Sequence, residues 1–185
     1  NTLAIIKNNT MKKLITIFTL AVSTFTFSQN STTLKSNDIV INPIALVLGA
    51  VNVEYERIIS ENSGIGVTTS FLLDDYIIDD NNGFSITPYY NYYFGKKRAN
   101  GFYIGGYCSI NSGDVEKSYY VSSQYGGYTM YTTEKETNFG VGFKFGGKWV
   151  VKNDIVLEIG TGLGRNFGGE NKVNTTGMLG IGKRF

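Results

Sequence analysis

Short runs of alternating apolar and polar positions make up most of the chain after residue 37. Each run is about nine to twelve residues long, and no segment shows the 3.6-residue period of an amphipathic helix. Soluble strands are commonly about 5–6 residues long, whereas a tilted strand that crosses a bilayer needs about 9–11. We predict eight strands, at Asp38–Val47, Val51–Ile59, Ile65–Leu73, Phe84–Phe94, Phe102–Asn111, Asn138–Val150, Ile155–Leu163 and Gly177–Phe185.

The two faces of these strands differ in an unusual way. In the sixth strand, Phe143 and Phe145 share one face with other bulky apolar residues, while Lys144 and Lys148 share the other face with glycines. The core of a soluble barrel needs bulk inside and polarity outside. A face of small and charged residues suits a narrow interior, and a bulky apolar face suits lipid. The pattern therefore predicts an all-β, eight-stranded antiparallel up-and-down transmembrane β-barrel.

The connections between the predicted strands alternate in length. The second, fourth and sixth are short, with the sequences "SENSG", "GKKRANG" and "KND". The third, fifth and seventh are long, and the first, around Gly49–Ala50, is tight. Membrane barrels carry short turns on the periplasmic rim and long loops outside. An even number of strands then puts both ends of the barrel on the short-turn side.

Aromatic residues of the fourth to sixth strands sort by face. Centring the fourth turn on Arg98 sets Tyr92 opposite Ile104 on the lipid side, and we expect a solvated basic turn at Lys96–Arg98. Aromatic rings favour the membrane–water interface. This register places Tyr92, Phe94, Phe102 and Trp149 near one rim on the lipid side, and it turns Tyr89, Tyr93, Tyr103 and Tyr107 inward.

The first part of the chain is typical of an export signal. "MKKLITIFTLAVSTFTFSQ" begins at Met11 with two lysines, followed by an apolar run too short to span a bilayer as a helix. We expect residues 1–10 to be a non-native leader, 11–28 a signal peptide, 29–36 a short tail and 37–185 the barrel. Removal of residues 1–28 takes three lysines away and changes the net charge from +2 to −1. The charge therefore gives no reason to expect a nucleic-acid partner.

Composition restricts the chemistry that the chain could perform. It contains no histidine, so Ser–His and Cys–His catalytic arrangements are impossible. Cys108 is the only cysteine, which rules out an internal disulfide, and its register turns it toward lipid. We therefore expect no catalytic residues, no metal site and no cofactor.

Charged residues recur on the inward faces. Buried charges must be paired, because an unpaired ion costs several kcal/mol. Centring the sixth turn on Asn153 sets Lys148 directly opposite Glu158, which makes this the best-defined pair of a predicted interior salt-bridge network. The alternative hypothesis is a glycosidase-like carboxylate pair or an ion path. The members of the predicted network are Glu54, Glu56, Lys144, Lys148 and Glu158.

The segment between residues 111 and 137 predicts a hairpin above the membrane. Two runs, "SYYVSS" and "YTMYTT", flank Gly126–Gly127, and a Gly-Gly pair between such runs is a hairpin signal. Tyrosines anchor many protein interfaces, and an exposed strand edge can pair with a partner strand. We therefore weigh an interaction site against a solvated hairpin without a partner. The candidate contact residues are Tyr119, Tyr120, Tyr125, Tyr128 and Tyr131.

The end of the chain, "GMLGIGKRF", carries Phe185 on the lipid-facing register. It resembles the signal by which the barrel-assembly machinery accepts outer-membrane proteins, although Lys183 stands where such ends usually carry an apolar residue. Residues 37–185 resemble the small OmpA/OmpX-like barrels, and "VINPIALVLGAVNVEYERIIS" is similar to the opening hairpin of a Gram-negative outer-membrane family of unassigned function. The resemblance implies a fold, and it brings no catalytic residues with it.

Taken together, these patterns predict a non-enzymatic protein of the cell outer membrane, reached by Sec-type export, with a structural or surface-interaction role such as adhesion. Its expected partners are outer-membrane lipid, the barrel-assembly machinery and an extracellular protein or surface. Two alternatives stay open: a soluble secreted lipocalin-like barrel that binds a small apolar ligand, and a narrow, porin-like pore.

Overall fold

A computed structural model of the chain describes residues 34–73, 83–123, 126–169 and 171–185. Residues 35–185 form a compact unit of their own. The predicted leader and signal peptide, and most of the predicted tail at 29–36, lie outside the described residues. None of the described helices is both long enough and apolar enough to cross a membrane.

Eight antiparallel strands close into one barrel, with each strand paired to its sequence neighbour and the last paired to the first. This confirms the predicted all-β, eight-stranded up-and-down architecture. The strands are β1 (Asn37–Ile41), β2 (Ala50–Ile58), β3 (Ser63–Leu72), β4 (Phe84–Tyr93), β5 (Gly101–Ser123), β6 (Gly126–Val150), β7 (Ile155–Phe167) and β8 (Val173–Arg184).

The first strand is shorter than its prediction. It ends at Ile41, and Pro43–Val47 forms a short helix, α1. Asn42 caps this helix, because its Oδ1 accepts a hydrogen bond of 3.1 Å from the Ala45 backbone N–H. Pro43 has no N–H to donate to a strand ladder but suits the first helical position. The Asn-Pro pair is therefore the local signal that ends β1, and the predicted strand to Val47 was wrong.

Other strands run further than predicted. β5 and β6 continue as a long two-stranded ribbon, in agreement with the predicted hairpin, and their last described pair is Ser123–Gly126. Gly126 and Gly127 thus belong to β6, and the prediction that they form the turn was wrong. β7 continues to Phe167 and β8 begins at Val173, so the seventh connection is shorter than predicted.

The strand register puts polar side chains inside the barrel and apolar side chains outside. Exposed positions include Phe143 at 73% and Leu163 at 64%. Tyr89, Tyr93, Tyr103 and Tyr107 are buried, as predicted. Most other buried positions are polar: Asp38, Glu54, Glu56, Ser63, Thr68, Thr87, Asn91, Ser109, Lys144, Lys148, Glu158, Asn166, Asn174 and Arg184.

The three short turns lie at one end of the barrel, which we call the short-turn rim. They span residues 59–62, 94–100 and 151–154, and the ends of β1 and β8 meet at the same rim. Tyr92 lies opposite Ile104, as predicted. The ring of Trp149 packs edge-on against Phe102, with 5.8 Å between the ring centres. The opposite end, the long-loop rim, carries α1, the hairpin and the remaining connections.

Candidate functional site

The centre of the barrel holds a cluster of charged side chains around Lys148. Its Nζ donates hydrogen bonds to Glu56 Oε2 at 2.8 Å and to Glu54 Oε1 at 3.2 Å. Glu158 Oε2 lies 2.9 Å away as an ion pair, and Glu158 stands directly opposite Lys148 in the β6–β7 ladder. Asp38 lies 3.9 Å away. The ammonium group therefore faces four carboxylates.

Lys144, four residues before Lys148 on the same face of β6, forms a second cationic centre. Its Nζ lies 3.4 Å from Glu54 Oε2 and 3.7 Å from the centre of the Tyr89 ring. Thr68 Oγ1 donates a hydrogen bond of 3.1 Å to the same Glu54 oxygen. A cation over an aromatic face gains electrostatic attraction from the ring. The structure thus brings together all five residues for which we predicted an interior network.

Inward-facing tyrosines satisfy the remaining carboxylate oxygens. Tyr89 and Tyr93 donate hydrogen bonds to Glu56, at 3.0 Å to Oε2 and 2.7 Å to Oε1. Tyr103 donates to Glu158 Oε1 at 2.9 Å. Phenol hydroxyls donate to a carboxylate without carrying charge, so they can replace water around a buried anion. Three of the four tyrosines predicted to point inward are therefore structural partners of the acids, whereas Tyr107 donates to the Asn174 backbone oxygen at 3.3 Å.

Two members of the cluster were missed in the sequence. Arg184 forms a bidentate ion pair with Asp38, in which Nε donates to Oδ1 at 2.7 Å and Nη2 donates to Oδ2 at 2.8 Å. Arg184 also donates to the backbone oxygens of Arg98 and Ala99, which ties the basic turn to the barrel end. Asp38 is the second residue of β1 and Arg184 is the last residue of β8, and the two lie directly opposite each other where these strands pair. The signal that the sequence offered was the alternation of each strand, which places Asp38 and Arg184 at inward-facing positions.

The packing of this cluster decides what it can do. Lys148 and Glu56 have no exposed surface, and the space beside Glu54 and Lys144 is about 10 Å³, near the minimum that holds one water molecule. A saccharide could not reach these carboxylates without unfolding the wall. The geometry fits the structural interpretation of the network better than a glycosidase-like pair. The side chains of the cluster also fill the cross-section of the lumen, through which an ion path would have to run.

At the long-loop rim the interior widens. A cavity of about 720 Å³ opens there, and many of its wall residues are amides and hydroxyls of the strand ends. Asn174 donates to Ser109 Oγ at 3.0 Å and to Asn166 Oδ1 at 2.7 Å, forming part of the floor. The charged cluster therefore separates this polar mouth from the short-turn rim.

The ribbon of β5 and β6 continues beyond the barrel wall. β4 pairs with β5 only as far as Ser112, and β7 pairs with β6 only from Phe139. From Gly113 to Ser123 the two strands of the ribbon pair with each other alone among the described residues. At about 3.4 Å per residue this part is roughly 35 Å long. It carries two long strand edges that the rest of the described barrel leaves uncovered.

The hairpin tyrosines divide between the two faces of the ribbon. Tyr119 lies opposite Met130, and Tyr128 opposite Val121, on the face that continues the barrel interior. Tyr120 and Tyr131 lie on the face that continues the barrel exterior. All four are exposed, from 47% for Tyr119 to 73% for Tyr120. Tyr125 lies outside the described residues.

An ion pair crosses the ribbon below these tyrosines. Lys117 Nζ lies 2.8 Å from Glu134 Oε2, and Tyr119 donates a hydrogen bond of 3.1 Å to Glu134 Oε1. The hydrogen bond from Lys117 and then the one from Tyr119 lower the pKa of Glu134 below its ordinary value of 4.5. The ribbon is thus held by charge-assisted hydrogen bonds as well as by its backbone ladder.

The fold and the interior define a class of protein: a closed eight-stranded barrel with a polar, ion-paired interior and an apolar exterior. No protein-family model matches the chain, and no curated protein matches it in sequence. Similar solved structures include the N-terminal β-barrel domain of Pseudomonas aeruginosa OprF, 12% identical, with a TM-score of 0.48 over 82% of this chain and 98% of that one.

The outer-membrane protein Ail of Yersinia pestis is similar to the same extent. Its crystal structure is 14% identical with a TM-score of 0.47, and its structure in a phospholipid bilayer nanodisc is 15% identical with a TM-score of 0.46. Each alignment covers 82% of this chain and 100% of the other. At these identities and scores the likeness concerns the barrel architecture alone.

Proposed function

We propose that this chain is an outer-membrane barrel of a Gram-negative cell, exported through a Sec-type pathway, with a non-enzymatic structural or surface-interaction role. One observation carries the membrane part of the proposal: the large apolar side chains are exposed on the barrel wall while the ions are buried inside it. In water, exposed apolar patches of this extent favour aggregation, whereas in lipid they are the stable arrangement. The soluble lipocalin-like alternative needs the opposite distribution.

The long-loop rim is then the extracellular one, and the ribbon projects from the cell surface. Its uncovered strand edges and exposed tyrosines support a role in binding an extracellular protein or surface. Main-chain hydrogen bonds from an added strand would supply affinity, and the tyrosine rings would supply selective contact.

At the other rim, the backbone N–H of Phe185 donates a hydrogen bond of 2.8 Å to the backbone oxygen of Asn37. We propose that Phe185 is recognised by the barrel-assembly machinery.

The membrane part is tested by electrophoresis of the membrane fraction in SDS, boiled against unboiled. A folded barrel of this class is expected to migrate differently until it is heated. Protease added to whole cells should cut within residues 119–131 without prior opening of the outer membrane. Protein in the soluble periplasmic fraction with no mobility shift would contradict the proposal, and cleavage only in opened cells would contradict the topology.

The interaction role is tested by adherence of expressing cells to an epithelial-cell monolayer. Replacing Tyr120 and Tyr131 by serine should reduce adherence, because the substitutions remove both rings from one face of the ribbon and keep its backbone ladder intact. Tyr90→Ser, on the lipid side of β4, is the matched control and should leave adherence unchanged. Equal adherence of cells with and without the barrel would leave only the structural role.

A further inference from the structure

The short-turn rim carries an excess of positive charge. Among the described residues of the three short turns, the adjoining outward positions of β2 and β8, and the segment before β1, cationic side chains outnumber acidic side chains by seven to two. The carboxylates are Glu61 and Asp154, and each is already engaged, with Arg98 at 3.0 Å and with Lys35 respectively. The cations are Lys35, Arg57, Lys96, Lys97, Arg98, Lys152 and Lys183.

The opposite rim shows no such excess among the described residues. Its acids and bases are equal in number: Asp114, Glu116, Glu134 and Glu136 against Lys117, Lys135, Arg165 and Lys172. Among the described residues, both rims carry charged side chains, but the net positive charge is confined to the short-turn rim.

The position of two of these cations shows what they face. Arg57 follows Tyr55 on the outward register of β2, and Lys183 follows Ile181 on the outward register of β8. Both therefore stand on the outer wall, directly below the apolar stripe of their strands, and not toward the lumen. Long cationic side chains at the edge of an apolar surface extend their charge to the headgroup level. Lys183 interrupts the apolar pattern of the last strand at this level.

Aromatic rings mark the same level. Tyr92, Phe94, Phe102 and Trp149 lie on the outer wall at this rim, and Lys96, Lys97 and Lys152 are exposed in the turns just beyond them. Rings of this kind lie where hydrocarbon gives way to headgroups. The cations are thus placed where lipid phosphates lie.

We infer that the short-turn rim is a binding belt for the headgroups of anionic phospholipids in the facing leaflet. The belt rests on the proposed function, because it needs the barrel to lie in a bilayer. Phosphate oxygens accept hydrogen bonds from several lysines or arginines at once, and a net-anionic leaflet attracts cations close to its surface. A zwitterionic leaflet offers no such net attraction. The belt would fix the depth of the barrel and select the lipids around it.

The chain contains its own reporter for this belt. Trp149 is the only tryptophan, it lies on the outer wall at this rim, and it is 37% exposed. The protein is refolded into phosphatidylcholine vesicles that contain a fixed fraction of phosphatidylglycerol. Bromine is then placed on the acyl chains of one lipid or the other, at equal mole fractions of the brominated lipid, and quenching of Trp149 fluorescence measures which lipid lies beside the rim.

At low salt, brominated phosphatidylglycerol should quench on the order of twofold more strongly than brominated phosphatidylcholine, and 1 M salt should remove the difference. Replacing Lys96, Lys97 and Lys152 by glutamine should reduce the difference, while the same change at Lys135 and Lys172 on the opposite rim should preserve it. Equal quenching by both lipids, or an excess that the first variant retains, overturns the belt while the membrane barrel stands. Quenching by neither lipid overturns the membrane barrel as well.

Discussion

Replacing Lys148 by methionine tests whether the interior cluster stabilises the barrel. Methionine keeps an unbranched side chain of similar length and removes the charge that lies between 2.8 and 3.9 Å from four carboxylates. Asp38, Glu54, Glu56 and Glu158 would then share two cations, Lys144 and Arg184. Removing one partner of a buried ion pair costs about 3–5 kcal/mol, because it leaves a buried charge uncompensated. We expect a loss in that range.

The free energy of unfolding is measured by urea titration of the barrel in lipid vesicles, followed by Trp149 fluorescence and by mobility in SDS. Lys135→Met, at an exposed lysine of the ribbon, is the control and should change stability by less than about 0.5 kcal/mol. Adding Glu158→Gln to Lys148→Met should recover part of the loss, since neighbours in contact couple by about 0.5–3 kcal/mol. A Lys148→Met barrel as stable as the parent would refute the pairing.

Three further outcomes are expected. Gly142→Ala should destabilise the barrel by about 1–3 kcal/mol in the same titration, because its Cβ would lie 2.6 Å from Gly164 Cα, whereas Gly106→Ala, with nothing nearer than 3.9 Å, should be tolerated. Cleavage of the ribbon by added protease should become faster as pH falls below 4.5 through the lowered pKa of Glu134, since protonation removes its ion pair with Lys117, and Glu134→Gln should abolish this pH dependence. Planar-bilayer recordings should show no discrete conductance steps, and steps in the parent would support the pore alternative.

The local sequence was sufficient to predict the eight-stranded barrel architecture. Alternation with a period of two assigns each residue to a face, because successive side chains of a strand point to opposite sides. Turn length fixes the register between neighbouring strands, which is why the pairing of Lys148 with Glu158 and of Tyr92 with Ile104 could be predicted. The Asn-Pro pair at Asn42 was also a local signal for the end of β1, although the alternation of apolar and polar residues alone did not predict it.

Contacts across the lumen depended on closure of the barrel. Lys148 of β6 meets Glu54 and Glu56 of β2, strands that are not neighbours in the sheet, so no turn sets their distance. The bond between Asp38 and Arg184 likewise forms only when β8 pairs with β1. The sequence by itself determined which side chains face inward and that they must neutralise one another. The tertiary structure decided which acid meets which base, because that depends on the stagger and tilt with which the sheet closes.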